Sequence, residues 1–147
     1  MFIYGAASTR KLATVHYELR ETFGLALSWQ IYDMTIIYGW RGEADQDQAF
    51  LAGNSDKEWP NSKHNVVDAQ GNPMSDAVDF APWCMLPTGK MGIPWDDTHA
   101  FAVCGGILLA AAHQLGYKIR YGGDWDMDGL TTDQRLMDWG HVERVSQ

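Results

Sequence analysis

The stretch from residue 64 to residue 80, HNVVDAQGNPMSDAVDF, decides the fold class. Two extended runs flank Gly71-Asn72, a dipeptide that favours reversal of the chain, and this dipeptide lies midway between His64 and Asp79. Pro73 cannot donate the closing hydrogen bond of a two-residue turn, so the spacing predicts a four-residue loop, Gln70 to Pro73, about the same centre. In that register His64 faces Asp79 across an antiparallel pair, with Cβ atoms about 4.5–5.5 Å apart. Asp68 and Asp76 lie in the same hairpin and can in principle replace Asp79, although neither faces His64 in this register.

Helical patterns surround this hairpin. Ser8 is a candidate N-cap for a helix in which Leu12, Val15, Leu19 and Phe23 recur at three- and four-residue spacing until Gly24 stops it. Met34 to Trp40 is β-branched and aromatic and reads as a buried strand, which places Arg41 at a strand end. Glu43 to Ala52 reads as a short helix closed by Gly53, followed by a polar loop from Asn54 to Asn61. Pro82 to Pro94 is punctuated by Pro and Gly and reads as loop. Asp96, Asp97 or Thr98 can cap an apolar helix that ends at Gly116, and Lys118 to Tyr121 is a short strand. An acidic segment and a turn-rich tail complete the chain. Helices flanking an antiparallel sheet make a small α+β domain.

Length and composition fit one unit. The 147 residues are enough for a single core, and 46% hydrophobic with 20% charged residues is ordinary for a globular domain. A net charge of −8 repels phosphate backbones and anionic lipid, so nucleic acid and membrane are not expected partners. The apolar run Ala100 to Ala112 is too short to span a bilayer and reads as a buried helix. Met1 to Ser8 lacks the pattern of a secretory signal, which points to a protein that stays in the cytoplasm where it is made. Cys84 and Cys104 show no metal-type pairing and suit a reducing compartment as buried thiols.

Chemistry concentrates on a few side chains. Near the C-terminus, Asp138-Trp139-Gly140-His141 sets a carboxylate three residues before a histidine, on one side of a turn. A histidine so placed can bind a metal while the carboxylate takes a proton from water. A catalytic zinc needs three protein ligands and one open position, and His64, Asp79 and His141 supply three, with Asp138 as general base. His16, His99 and His113 sit in or beside helices, where capping or packing roles suffice. Of seven tryptophans, Trp59, Trp83, Trp95, Trp125 and Trp139 fall near these residues in sequence. Core packing accounts for most, and one or two are expected to line a substrate groove. Asp124, Asp126 and Asp128 before Gly129 reproduce the first half of a calcium loop, with Asp133 as a substitute for the missing glutamate, since Arg135 stands at its position. The plainer reading is an acidic, solvated turn.

Taken together, Gly39-Trp40-Arg41, Ser62-Lys63-His64, Ala77-Val78-Asp79-Phe80, Gly122-Gly123-Asp124-Trp125 and Asp138-Trp139-Gly140-His141 resemble the M15 zinc peptidases, in the family's order. That group contains D-alanyl-D-alanine carboxypeptidases and the L-alanyl-D-glutamate endopeptidases that bacteriophages use as endolysins. The resemblance implies a DD-peptidase-like (hedgehog-like) fold and a zinc held at His64, Asp79 and His141. It also implies Asp138 as base, Arg41 as the group that polarises the scissile carbonyl, and Ser62 as a hydrogen-bond partner behind the first ligand. Fourteen residues separate His64 from Asp79, more than many members have, which a longer hairpin accommodates.

The expected function is therefore a phage endolysin. It would be a monomer, one catalytic domain over 1–147 without a separate wall-binding domain, that cuts the L-Ala to D-Glu bond of the peptidoglycan stem peptide. It would accumulate in the host cytoplasm and reach the wall on release, with calcium as a candidate regulator. A D-Ala-D-Ala carboxypeptidase is the alternative within the same chemistry. A non-catalytic wall-binding or virion protein is the alternative outside it.

Overall fold

The computed structural model describes residues 1–132 and 138–146. Helices α1 (Ala6–Leu12), α2 (Tyr17–Ser28), α3 (Glu43–Leu51) and α4 (Thr98–Leu115) accompany a sheet of β1 (Met34–Tyr38), β2 (Ala77–Pro82), β5 (Ile119–Tyr121) and β6 (His141–Arg144). The sheet order is β1-β2-β6-β5 and every neighbouring pair is antiparallel. A separate two-stranded ribbon, β3 (Cys84–Met85) with β4 (Met91–Gly92), lies within the passage expected to be loop. The architecture is the α+β arrangement expected from the sequence.

Leu19 and Phe23 of α2, Leu108 of α4 and Val78, Phe80 and Val142 of the sheet are fully buried together and form the centre of the core. By length and composition alone α4 is long and apolar enough to cross a membrane. Its Phe101, Cys104, Leu108, Ala111 and Ala112 are nevertheless packed inside the protein. A Cβ at Gly105 would meet the Tyr121 ring at 2.5 Å, so a glycine there lets α4 lie close on β5. Asp97 caps α4 by accepting from the Ala100 N–H at 3.0 Å, and Gly116 closes it in the left-handed region at φ 78°. Cys84 and Cys104 are free thiols, and burial pushes the Cys104 thiol up to about 12.

Three further expectations are corrected. The helix expected from Ser8 to Gly24 is two helices, because Ser75 inserts between them. The Ser75 N–H bonds Thr14 O at 2.9 Å, and Ser75 O accepts from the His16 N–H at 2.9 Å. Ser8 lies inside α1, where its hydroxyl accepts from the Ile36 N–H at 3.0 Å, and Gly24 lies inside α2. His16 is the cap instead, its Nδ1 accepting from the Glu18 N–H at 3.2 Å.

The hairpin is centred elsewhere as well. Val67 pairs with Pro73, and the Asp68 carboxylate gathers the N–H groups of Gln70 and Asn72 at 2.9 Å each, so the turn closes over residues 68–72. His64 therefore does not sit opposite Asp79 on a strand; it occupies a short 3-10 helix, Lys63–Asn65. The turn-rich tail contains β6.

Candidate metal centre

The site is built on β2 at the point where β1 ends and β6 begins. Asp79 on β2 has Tyr38 of β1 as its register partner on one side and His141 of β6 on the other. Facing residues of an antiparallel pair bring their side chains together, and His141 Nδ1 lies 2.8 Å from Asp79 Oδ1. From the other direction comes the 3-10 helix, started by Ser62, whose hydroxyl accepts from the His64 N–H at 3.2 Å while the Asn65 side chain accepts from the Ser62 N–H at 3.0 Å. This box sets His64 Nε2 3.3 Å from the same Asp79 Oδ1.

The two imidazoles are held from behind. His64 Nδ1 is 2.7 Å from the Gly39 carbonyl, an acceptor only, so that nitrogen carries the hydrogen. His141 Nε2 is 3.2 Å from Glu143 Oε1. With His64 Nδ1 and His141 Nε2 engaged outward, the remaining ring nitrogens, His64 Nε2 and His141 Nδ1, both point at one oxygen of Asp79, the orientation that outer hydrogen bonds impose on metal-ligating histidines. Three acceptor atoms, one from each of His64, Asp79 and His141, lie within 4.8 Å of one another and can hold a metal ion. Two imidazole nitrogens and a carboxylate oxygen are a donor set that suits zinc and other first-row divalent ions.

The charges answer to this arrangement. Burial alone would raise Asp79, but the two histidines bring its carboxyl well below the usual range. Burial would likewise depress His141, yet its hydrogen bonds to Asp79 and Glu143 raise it to about 9. Arg41 is buried, donates to Asp79 Oδ2 at 3.2 Å and to Gln46 Oε1 at 3.1 Å, and lies 4.6 Å over the Tyr38 ring. Gln46, itself fully buried on α3, donates to Lys57 O at 2.6 Å, so the loop after α3 is tied to the site. Asp138 opens onto the groove beside Asp79. Desolvation by the surrounding protein, more than the Asp79 charge, pushes its carboxyl above the ordinary range, and solvent reaching the side chain limits that rise.

Glu143 escaped the sequence reading. It accepts from Lys63 Nζ at 2.7 Å and from Arg120 at 2.9 Å while holding His141, and it is 6% exposed. Burial would raise it, but these hydrogen bonds lower it to about 2. Arg120 lies over Trp125, whose ring is 5.4 Å from that of His141. The available signal was the two-residue spacing of His141 and Glu143, which places both on one face once the tail is a strand.

Two clefts meet at Arg41, Asn54, Asp79 and Asp138, one of about 600 Å³ and one of about 920 Å³. Apart from these, Asp124, Asp126 and Asp128 bring carboxylate oxygens within 4.8 Å of one another. Asp124 already accepts from the N–H groups of Asp128 and Gly129, at 3.2 and 3.0 Å. Asp133 lies outside the described residues.

Residues 1–145 match the family of phage L-alanyl-D-glutamate peptidases. The chain is 35% identical over 147 residues to the L-alanyl-D-glutamate peptidase of Escherichia phage T5, covering 98% of each sequence. The crystal structure of the Serratia marcescens L-Ala D-Glu endopeptidase ChiX has the same fold, with a TM-score of 0.69, 26% identity, and coverage of 97% of this chain and 90% of that one. With the fold, the extent of the match and the identity in agreement, the chain belongs to the phage L-alanyl-D-glutamate peptidase family.

Proposed function

We propose that the chain is a zinc-dependent endopeptidase that hydrolyses the amide between L-alanine and D-glutamate in the peptidoglycan stem peptide. Family membership supports the substrate and the bond. The observation that carries the zinc is the pair of histidines with their outer nitrogens fixed by Gly39 O and Glu143, both inner nitrogens directed at one oxygen of Asp79. His64, Asp79 and His141 are the ligands in this reading. Bound there, zinc supplies the Lewis acidity that polarises a carbonyl and makes water acidic at neutral pH.

The protein's own groups do the rest. Asp138 takes the proton from the attacking water and delivers it to the nitrogen of the departing D-glutamate, a role suited to a carboxyl whose pKa is already raised. Arg41 holds Asp79 by one arm and adds positive charge beside the carbonyl oxygen, where charge develops. Ser62 fixes the turn that carries His64.

Residues 1–147 act as one catalytic unit in this reading, a monomer with the host wall as its target and neither nucleic acid nor membrane as a partner. Unpaired Cys84 and Cys104 suit synthesis in the reducing host cytoplasm before release to the wall. Calcium as a regulator, bound where Asp124, Asp126 and Asp128 converge, is a further part of this reading. Calcium added to zinc-loaded protein would then raise its melting temperature or its rate, and a flat titration would remove that role.

The deciding experiment is mass spectrometry of peptidoglycan digested by zinc-loaded protein, with and without chelator. Fragments with a new D-glutamate amino terminus, lost on chelation, are expected. Release of terminal D-alanine instead would make the chain a carboxypeptidase, and digestion that survives chelation would exclude the metal.

A further inference from the structure

The two clefts that meet at Asp138 differ in chemistry. Beyond the residues they share, the larger carries Lys57, Lys63 and Arg120 together with Asp56, Asp126 and Glu143. Among the described residues the smaller adds a single charge, Asp45, and is walled by Tyr38, Trp95, Phe101 and Trp139. Trp95 is 64% exposed, and its ring stacks on Phe101 at 6.2 Å and 30°, so it is backed on one side and open on the other. Asp45 and Gln48 of α3 bring polar groups to the wall of the same cleft.

A peptide whose scissile amide lies over Asp138 and Asp79 must send one end into each cleft. Given the bond assigned above, on which this inference rests, the two ends are chemically unlike. The alanine nitrogen is acylated by the lactyl group of N-acetylmuramic acid, so that end is an uncharged sugar with an apolar C–H face, hydroxyls and an acetamide. The glutamate end keeps a free carboxylate and continues into a charged diamino acid. Charged groups are costly against an apolar wall and belong in the cleft that offers charged partners. An uncharged ring with one apolar face matches an exposed indole flanked by hydrogen-bonding side chains.

We infer that the cleft between α3 and Trp95 is a saccharide subsite, which receives the muramyl sugar on the alanine side of the cut bond and makes the enzyme prefer stem peptides still attached to glycan. The cleft of about 600 Å³ is in the size range of small-molecule sites.

The test uses zinc-loaded protein and two uncharged-alanine substrates, the stem tripeptide with its alanine nitrogen acylated either by the lactyl group of N-acetylmuramic acid or by a simple acetyl group. Wild-type protein is expected to favour the sugar-bearing substrate through a lower KM. Trp95→Ala should cut the ratio of kcat/KM for the two substrates about tenfold, and Trp95→Phe, which keeps a ring, should retain most of it. Equal turnover of both substrates by wild type, or an unchanged ratio in Trp95→Ala, overturns the subsite. Product masses separate this failure from failure of the bond assignment: only the latter yields fragments without an amino-terminal D-glutamate.

Discussion

Asp138 and Glu143 flank the same imidazole, and their surroundings drive them in opposite directions. Asp138 is partly desolvated by neighbouring protein although solvent reaches its side chain, and among the described residues no lysine or arginine pairs with it, so its pKa is raised. Glu143 receives Lys63, Arg120 and His141, which hold it at about 2 and therefore ionised. A raised carboxyl can carry a proton in turnover, whereas a permanently ionised one can only hold its neighbours in place. Asp138→Asn should accordingly lower kcat/KM by about 10²- to 10⁴-fold while zinc content and melting temperature stay at parental values, measured on purified protein. Glu143→Gln keeps the shape and removes the charge behind His141. Its zinc affinity, read by competition with a chromophoric chelator, should weaken about 10- to 100-fold, the usual cost of losing an outer partner of a ligand. Parental affinity in that variant would mean that His141 is oriented by packing alone.

At the level of elements, β6 enters the sheet through Gly140, whose position leaves no room for a side chain. A Cβ there would lie 2.6 Å from the Phe80 carbonyl oxygen and 3.3 Å from the Phe101 ring. Gly140→Ala must push β6 away from β2, and a loss of about 1–3 kcal/mol in chemical denaturation is expected together with reduced activity. Elements with local punctuation were legible in the sequence. α3 and α4 end at Gly53 and Gly116 with positive φ, and α4 begins at an aspartate cap. Elements fixed by distant contacts were not. The break between α1 and α2 comes from Ser75, far along the chain, while the apolar spacing of Leu12, Val15, Leu19 and Phe23 runs on through it. β6 is hidden because His, Glu and Arg occupy three of its four positions, and the burial of His141 and Glu143 reflects the site rather than hydrophobicity. His64 and Asp79 were paired correctly but by the wrong route. The Asp68 carboxylate shifts the turn, and proximity comes from the 3-10 helix instead.

Across the whole molecule, the centre ties together the end of β1, the Ser62 turn, β2 and β6, so any ion bound there bridges segments that separate on unfolding. A ligand that binds only the folded chain stabilises it by mass action, about 4.1 kcal/mol at a thousand times its dissociation constant. Chelation should therefore lower the melting temperature, and zinc should restore it. A melting curve indifferent to chelator would detach metal from this centre. The three residues that converge here, His64, Asp79 and His141, were legible as a group in the sequence because their types are restrictive. The groove was not, since its walls are assembled from α3, the segment before α4 and the 138–140 turn.

The pairing of Asp79 with His141 has a kinetic consequence. These partners are 62 positions apart, and they meet only when β6 docks on β2. Closing so long a loop comes at an entropic cost, and the expected outcome is that His64, Asp79 and His141 come together only after the folding barrier has been crossed. Zinc then cannot guide the chain to its native state; it can only delay departure from it. In stopped-flow experiments, refolding rates with and without zinc should coincide. Unfolding at a stabilisation of about 4.1 kcal/mol should slow by about a thousandfold, and a faster refolding limb in zinc would place the centre inside the folding nucleus instead.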